Sequence, residues 1–413
     1  MNTEVKNHGI LFIYRHPLKA NAPALKTHID SFSKYSKNKI WAINSKLGYP
    51  KYIEKLKFSA ILLHYTVFPI LLESNLSQFL QFLKSNPKTP KIAFFQDEHT
   101  LCKERFDFIN DLDIDAIYTL LEPREHQHVY SAHTSCRNIM HTLTGYVDDS
   151  LIEAGEKFSL PIKKRTIDIG YRARKLPYYM GIGGLEKTMI AEKFLDYSDS
   201  TDLNLDINTG EQTRFNGDSW YKFIANCKAM IGVEAGVSIF DIDGSVRKES
   251  DAYIVKNPSA SFSDIHKAVL ANYENNIYYR TLSPRIFECA AFKTCMILFE
   301  GRYNDILKPK VHYIPLKKDF SNFQEVLNSF NDPQERKRLT DNAYQDLIES
   351  GKYSYQKFIE DFDQQLKNMG IKSKICKLDE RRISYHLNID KWIKTLVIIV
   401  KRIINKTHNK TKP

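Results

Sequence analysis

Four short apolar runs in the first 150 residues limit the folds open to this chain more than any other feature. Each run is rich in Ile, Leu, Phe and Ala and ends in polar or charged residues; the runs occupy residues 9–14, 58–65, 91–98 and 114–121. Runs of this kind are typical of strands buried on both faces. Mixed stretches between them, such as residues 22–36, predict helices. Strands that alternate with helices predict a parallel sheet, whose ligands bind at the carboxyl ends of its strands.

A second α/β unit follows the first. Segments within residues 165–181, 227–244, 295–301 and 312–319 predict four further strands. Strand character is lost in residues 147–164, which predicts a boundary there. We therefore predict a Rossmann-like acceptor-side domain at 1–155, a Rossmann-like donor-binding domain at 156–370 and a tail at 371–413.

The positive charge of the chain is concentrated at its C-terminus. The 413 residues carry a net charge of +11. Residues 381–413 contain nine Lys or Arg and one acid, Asp390, so this segment carries +8 and the rest of the chain only +3. A nucleic-acid-binding protein would place basic residues over a cleft or face of its body. The distribution therefore argues against nucleic acid as a partner.

The same segment has the pattern of an interfacial helix. Its apolar residues recur at helical spacing between Lys and Arg; they are Ile389, Trp392, Ile393, Leu396, Val400, Ile403 and Ile404. The pattern predicts binding to an anionic membrane surface through residues 381–413, and the alternative is a helix packed on the body. Because the six cysteines are scattered and no signal peptide or membrane-spanning run is evident, we expect a cytoplasmic protein, peripheral on the inner face of the cytoplasmic membrane.

The segment SPRIFE of the second unit has the residues of an anion-binding site. Ser283 is predicted to cap a helix and Pro284 to occupy its first turn, so that amide groups point at an anion such as phosphate. Arg285 is predicted to neutralise a diphosphate, and Glu288, one turn further on, to accept from a ribose hydroxyl. The alternative is a capped helix with a surface glutamate.

Three cations, Arg172, Arg174 and Lys175, follow the first strand of the second unit. They are predicted to balance a diphosphate leaving group electrostatically, and the alternative is a solvated basic loop. Glu234 lies in a segment of small residues at 232–238. It is predicted to lie near the cleft, and the alternative there is a tight turn.

Together these segments resemble bacterial glycosyltransferases. The resemblance is carried by IDIGYRARKLPYYMGIGGLEK, MIGVEAGVSIFDIDG and LSPRIFECAAFKTCMILFEG, which are similar to group-1-like enzymes of surface-polysaccharide and O-antigen pathways. It implies the GT-B fold, in which two Rossmann-like domains face a cleft. It also implies a nucleotide-sugar donor in the second domain and a glycan or glycolipid acceptor on the side of the first. We expect no cofactor and no metal, since the nucleotide sugar is a substrate.

The resemblance further assigns a Glu-x7-Glu motif to this region. Glu288 matches the second acid, which contacts the donor ribose, but Arg280 stands where the family has its first acid. A cation there implies contact with a phosphate or an acidic donor sugar, and it leaves the stereochemical outcome open. In a retaining transfer the departing phosphate oxygen takes the acceptor proton. An inverting transfer needs a base on the N-terminal side, for which the candidates are His16, Asp97, Glu98 and His99.

Three functions stay open on the sequence alone. The first is a glycosyltransferase that moves a hexosyl or related sugar to a lipid-linked surface glycan. The second, kept by the Arg280 replacement, is an inactive GT-B scaffold that binds sugar nucleotide or a partner enzyme. The third is a nucleic-acid-binding protein, against which the nearly neutral body argues.

Overall fold

Six parallel strands form the first half of the protein in the computed structural model, which describes residues 7–16, 23–71, 77–198, 202–213, 215, 217–373 and 375–410. The strands are β1 (Ile10–Tyr14), β2 (Ile40–Asn44), β3 (Ala60–Leu63), β4 (Lys91–Phe94), β5 (Ala116–Thr119) and β6 (Asn138–His141). Their order in the sheet is β2-β1-β3-β4-β5-β6. The four strands predicted in this region are confirmed as β1, β3, β4 and β5, whereas β2 and β6 were not predicted.

Helices cover both faces of this sheet. They are α1 (Pro23–Tyr35), α2 (Phe68–Leu71), α3 (Ser77–Lys84) and α4 (Cys102–Asp111). Aliphatic and aromatic side chains of the strands are buried on one face against α1 and on the other against α2 to α4. The absence of alternation in the four apolar runs is explained by this burial on both faces.

Five parallel strands and one short antiparallel pair of strands form the second half. The parallel strands are β7 (Ile167–Arg172), β8 (Leu205–Asn208), β9 (Cys227–Gly232), β12 (Cys295–Phe299) and β13 (Ile314–Leu316), and the antiparallel pair is β10 (Ala235–Val237) with β11 (Tyr279–Thr281). The helices are α5 (Asp149–Phe158), α6 (Ile182–Ser198), α7 (Asp218–Asn226), α8 (Ser245–Lys256), α9 (Phe262–Ile265), α10 (Arg285–Ala291), α11 (Phe323–Asn331) and α12 (Pro333–Tyr344).

The two large sheets share one strand order. In the second sheet the order is β13-β12-β9-β7-β8, so its first strand also lies between its second and third strands. The direction of winding reverses beside the first strand in each half, between β1 and β3 and between β7 and β9. A crevice forms at the carboxyl ends of the strands at such a switch point. The predicted α/β class with two Rossmann-like halves is confirmed.

The chain crosses between the halves twice, and the two crossings lie side by side. The Val147 amide donates to the Tyr353 carbonyl, and the Tyr355 amide donates to the Val147 carbonyl, each at 2.8 Å. Beyond the second crossing, α13 (Tyr355–Asn368) packs on the first sheet, where Phe358 and Phe362 contact Phe32. The predicted domain 156–370 thus contains a helix that lies in the core of the other half.

The last element is a single helix of 34 residues, α14 (Lys377–Lys410). Ile383 of this helix is fully buried in the core of the first half. The first turns of α14 are therefore part of the folded body.

Candidate functional site

A cavity of about 400 Å³ lies at the switch point of the second sheet. It is lined by residues that follow β7 and β9 and by the start of α10, among them Tyr171, Arg172, Arg174, Val233, Ser283 and Arg285. Cavities of about 300–1,000 Å³ hold small-molecule ligands in proteins. Four residues predicted for a donor site, Arg172, Arg174, Ser283 and Arg285, are brought together here.

Arg285 is oriented by contacts on several sides. Its Nη2 donates to the Arg172 carbonyl at 2.5 Å, and its guanidinium lies 5.2 Å from the ring centroid of Tyr171 and 5.4 Å from that of Trp220. Arg174 lines the same cavity and is exposed. In the described part of the chain, no carboxylate forms an ion pair with Arg285 or Arg174, so both charges are left for an anion.

Lys187 is a third cation of the cavity, which the sequence analysis missed. It lies in the second turn of α6 and is half-buried. Burial, together with the charges of Arg280, Arg174 and Arg285, lowers the pKa of Lys187 from 10.5 to about 8, against an opposing effect of Asp97. A lysine crowded by like charges gains the most from a bound anion, because the anion removes the repulsion. The cavity is therefore suited to a di-anionic or tri-anionic group.

Arg172 has a different environment from its neighbours. Its Nη2 donates to the Asp206 carboxylate at 2.7 Å and its Nη1 to the carbonyls of Tyr171 and Asp206 at 2.8 Å. The ion pair joins the ends of β7 and β8 and neutralises the Arg172 charge. Lys175 lies outside the large cavity, exposed, with its ammonium 5.4 Å from the Tyr178 ring centroid. Of the three predicted loop cations, Arg174 is thus the one whose charge faces the cavity unpaired.

Aromatic side chains form the end of the cavity beyond β8. Phe215 and Trp220 line this end together with Thr213 and Gly210. The Phe215 ring lies 4.8 Å from the Arg172 guanidinium, which limits its movement. Aromatic faces next to backbone and hydroxyl groups are suited to stacking and hydrogen bonding of a nucleobase.

Glu288 lies behind this aromatic wall. It is half-buried, and the Trp220 indole Nε1 donates to its Oε2 at 2.8 Å. Burial raises the pKa of Glu288, although the hydrogen bond from Trp220 and the charge of Arg285 oppose the rise. The carboxylate borders a small neighbouring cavity of about 30 Å³. Its predicted contact with a ribose hydroxyl stays a prediction.

The start of α10 lies one residue later than predicted. Pro284 occupies the N-cap and Arg285 is the first helical residue. Within the described residues, the Ser283 Oγ accepts a hydrogen bond from one amide of the first turn, that of Arg285 at 3.4 Å, and Ser283 is not the N-cap residue. The Pro284 ring instead borders the same small cavity as Glu288. The loop before α10 is held by hydrogen bonds at Leu282, whose amide donates to the Asn304 Oδ1 at 2.6 Å and whose carbonyl accepts from the Thr144 hydroxyl at 2.5 Å.

Arg280 is buried between two carboxylates. It forms an ion pair with Glu186 of α6, and its Nε lies 4.0 Å from the Glu234 carboxylate. Lys318 also pairs with Glu186, at 2.7 Å. Burial alone would raise the pKa of Glu186, but Arg280 and Lys318 hold it below its ordinary value. The charge of Arg280 is therefore used within the protein, and its predicted contact with donor phosphate stays a prediction.

Glu234 is likewise occupied by protein groups. It is buried, and its Oε1 accepts from the Tyr278 hydroxyl at 3.0 Å and from the amides of Arg302 and Tyr303 at 3.1 and 2.9 Å. Arg302 in turn reaches across to the first half, where its Nη1 pairs with Glu122 at 2.9 Å. The carboxylate thus organises the loop after β12 and the contact between the halves.

Two adjacent acids at the end of β4 have opposite environments. The Glu98 side chain is fully buried, with Oε1 accepting from the Leu120 amide at 2.8 Å and Oε2 from the Thr119 hydroxyl at 2.6 Å and from the Tyr130 hydroxyl. Such a carboxylate supports the fold and has no access to a substrate. Asp97 is exposed with a positive φ of 52°, and its charge acts on Lys187 of the other half. Of the two, Asp97 is the acid that borders the cleft.

His16 lies at the switch point of the first sheet. Its amide donates to the Asn44 Oδ1 at 3.1 Å, and the Asn44 Nδ2 donates to the His16 carbonyl at 2.8 Å. Its Nε2 is buried and has no hydrogen-bond partner within the described ranges. The backbone of this loop is therefore fixed by β2, while the imidazole keeps an unused nitrogen.

The comparison with known proteins rests on structure. No model of a protein family and no curated protein matches the chain. Sucrose-phosphate synthase from Thermosynechococcus elongatus has a TM-score of 0.49 at 9% identity, over 87% of this chain and 98% of that one. Anabaena Alr3699/HepE, solved with UDP, has a TM-score of 0.48 at 10% identity, over 87% of this chain and 100% of that one.

TarM, which a further structure names as an S. aureus protein, has a TM-score of 0.42 at 13% identity. The match covers 76% of this chain and 56% of TarM, so the chain spans just over half the length of that protein. Two parallel α/β halves with the same strand order agree with the GT-B fold that the sequence resemblance implies.

Proposed function

We propose that this protein transfers a sugar from a nucleotide-sugar donor to a glycan acceptor. The observation that carries the proposal is the cavity at the β7/β9 switch point, which combines unpaired cations with an aromatic end. A nucleoside diphosphate presents the complementary groups, two phosphates and a flat base. We propose that Arg174, Lys187 and Arg285 bind the diphosphate and that Phe215 and Trp220 bind the base.

The same cations would act on the reaction itself. Transfer breaks the bond between the anomeric carbon and the phosphate oxygen and forms one to the acceptor oxygen. Negative charge grows on the departing diphosphate, and fixed cations in a half-buried site stabilise that charge. The acceptor hydroxyl proton goes either to the departing phosphate oxygen, which suits retention, or to a base, which suits inversion. For the second route we propose Asp97 as the base. We propose that His16 positions the acceptor hydroxyl or accepts its proton.

The acceptor we propose is a lipid-linked surface glycan that enters from the first half. This assignment is supported by the resemblance of the sequence to enzymes of surface-polysaccharide pathways and by the basic, apolar C-terminal helix. It rests on the proposed donor site and is tested separately from it.

One observation favours a second candidate, a scaffold that binds the nucleotide sugar without transferring it. Arg280 occupies the position of an acid in the family pattern, and its charge is neutralised by Glu186 and Glu234. A site without that acid binds the donor diphosphate in the same way but lacks one contact to the sugar. Turnover, and not binding, separates the two candidates.

The test is calorimetric titration of a panel of nucleotide sugars and nucleoside diphosphates, followed by measurement of nucleotide release with an acceptor. We expect Lys187→Met to weaken nucleotide binding about 10- to 100-fold, because a charged hydrogen bond is lost. Lys175→Met, a matched exposed lysine outside the cavity, should bind as the wild type does. Glu288→Ala should abolish turnover with the fold intact.

Four results would decide against the assignment or a part of it. If no nucleotide sugar binds, or if Lys187→Met binds as tightly as the wild type, the donor site is wrong. Unchanged turnover in Glu288→Ala would remove that residue from the site. Tight binding with no turnover for any acceptor of the panel would favour the scaffold.

A further inference from the structure

Helix α14 is attached to the first half by one side only. Ile383 is fully buried in the core, the His386 ring stacks on Tyr52 at 4.2 Å, and the Lys394 Nζ donates to the Tyr49 carbonyl at 2.8 Å. These contacts hold the helix along the segment that follows β2. The alternative in which the helix packs on the body is therefore correct for this side of it.

The other side of α14 is apolar and exposed. Its large apolar side chains are exposed to between 38% and 76%: Leu378, Tyr385, Ile389, Trp392, Ile393, Leu396, Val397, Ile399 and Val400. At about 100° per residue all nine positions fall within an arc of about 160° on the helix surface. The attached residues Ile383 and Lys394 lie at about 180° and 200° from Trp392, and His386 lies at about 120°, near one edge of the arc, so most of the apolar arc points away from the body.

This face has the size and charge of a surface that binds something. Asp379, Arg381 and Arg382 fall within the same arc, so its continuous apolar part runs from Ile389 to Val400, over about 17 Å. Exposed apolar surface of this kind marks an interaction site. No helix in the described residues has both the length and the apolar character needed to cross a membrane. From residue 391 to residue 410 the sequence contains six Lys or Arg (391, 394, 401, 402, 406 and 410) and no acid.

We propose that the outward apolar face of α14 binds the surface of an anionic phospholipid bilayer, with the helix lying parallel to that surface. Apolar side chains with a central Trp enter the boundary between headgroups and acyl chains, while Lys and Arg contact the phosphates. A second copy of this chain is the other occupant to consider. Two parallel copies would bring together the cations of residues 391–410, a segment without acids, which disfavours it.

The attachment of α14 also sets which side of the protein meets the bilayer. The helix rests on the segment after β2, and Asn44 at the end of β2 holds the backbone of His16. The bilayer therefore lies beside the crevice of the first half. This step rests on the proposed function: a lipid-linked acceptor would then reach the cleft from the membrane on that side.

The test is sedimentation of the full chain with vesicles of phosphatidylcholine alone or with about 30% phosphatidylglycerol. We expect binding to the anionic vesicles, weakened by high salt, and at least about a tenfold loss of binding in Leu396→Glu/Val400→Glu. Val255→Glu, which places an acid at an exposed apolar position of α8, is the matched control and should bind as the wild type does. Circular dichroism and the melting temperature check that each variant is folded.

Several outcomes would overturn the proposal. The proposal is wrong if the wild type does not sediment with anionic vesicles, or if the double variant binds them as well as the wild type does. A dimer that the double variant dissociates, with no vesicle binding, would identify a second copy as the occupant. Lys187→Met should bind vesicles normally and Leu396→Glu/Val400→Glu should bind nucleotide normally, so failure of the membrane site and failure of the donor site are distinguishable.

Discussion

Replacing Lys187 should stabilise the protein while it removes a donor contact. Burial and three neighbouring arginines lower the pKa of Lys187 from 10.5 to about 8. In the unfolded chain the lysine titrates at its ordinary value, so its protonated form is disfavoured by folding. A difference of about 2.5 between the two pKa values lowers the unfolding free energy at neutral pH by at most about 3 kcal/mol. Lys187→Met keeps the length of the side chain and removes the charge.

The size of this effect changes predictably with pH. Below pH 8 Lys187 is protonated in both the folded and the unfolded state, and the full unfavourable free energy is present. Between pH 8 and 10.5 the folded protein releases the proton first, so the unfavourable free energy falls. The gain in unfolding free energy of Lys187→Met should therefore decrease from about 3 kcal/mol at pH 7 to about 1.4 kcal/mol at pH 9.5.

Urea denaturation of both proteins at the two pH values measures this difference. Lys175→Met, at an exposed position, should change the unfolding free energy by less than about 0.5 kcal/mol at either pH. Equal stability of Lys187→Met and the wild type at pH 7 would refute the reasoning. A gain of the same size at both pH values would mean that packing, and not charge, is responsible.

Two further predictions concern buried charge in the two halves. Arg280→Leu leaves Glu234 without its cation and Glu186 with Lys318 alone, and it should lower the unfolding free energy by about 3–5 kcal/mol. Much of the loss should be restored in Arg280→Leu/Glu186→Gln, and a loss below about 1 kcal/mol in urea denaturation would contradict the role of Arg280 between the two carboxylates. His28 bonds to His64 at 3.0 Å, and burial lowers the pKa of His28 to about 3. Because the unfolded state binds the proton below about pH 6.5, stability should be lost as the pH falls from 6.5 towards 3. His28→Gln should reduce this slope by about 1.4 kcal/mol per pH unit, and equal slopes for variant and wild type would argue against it.

The strands that the sequence analysis predicted are those buried on both faces. The apolar run of each of these strands identifies it from its own sequence, without knowledge of the neighbouring strand. The strands it missed are β2 (Ile40–Asn44) and β6 (Asn138–His141), which are the two edge strands of the first sheet, and β8 (Leu205–Asn208), at the edge of the second. It also missed the short antiparallel strands β10 and β11. β6 and β8 are only partly buried and contain polar residues, so their pairing is decided by the neighbouring strand and not by their own composition.

The site was predicted where neighbours in sequence determine it and missed where distant residues do. Arg174 and Arg285 follow a strand and start a helix, and both reach the cavity. Lys187 reaches it because α6 packs over the end of β7, which no local pattern indicates. Arg280 is occupied by Glu186, which is 94 residues away in the chain.

Asp97 and Glu98 show the limit of a sequence pattern most directly. Both acids end the same strand and have the same chemistry. The backbone turns at Asp97, whose φ is 52°, and Glu98 then points into the core while Asp97 stays at the surface. The direction of a side chain at a strand end depends on this turn, and the sequence offers no signal for it.

The return of α13 and α14 to the first half has a consequence for synthesis on the ribosome. Phe358, Ile359, Phe362 and Ile383 supply buried contacts to a sheet whose strands end at residue 141. Domains usually fold in the order in which they are made. Here the first half to emerge lacks part of its core until residues 355–383 are translated, whereas the sheet of the second half is complete at residue 316. The half that is made second can therefore be the first to reach its final packing.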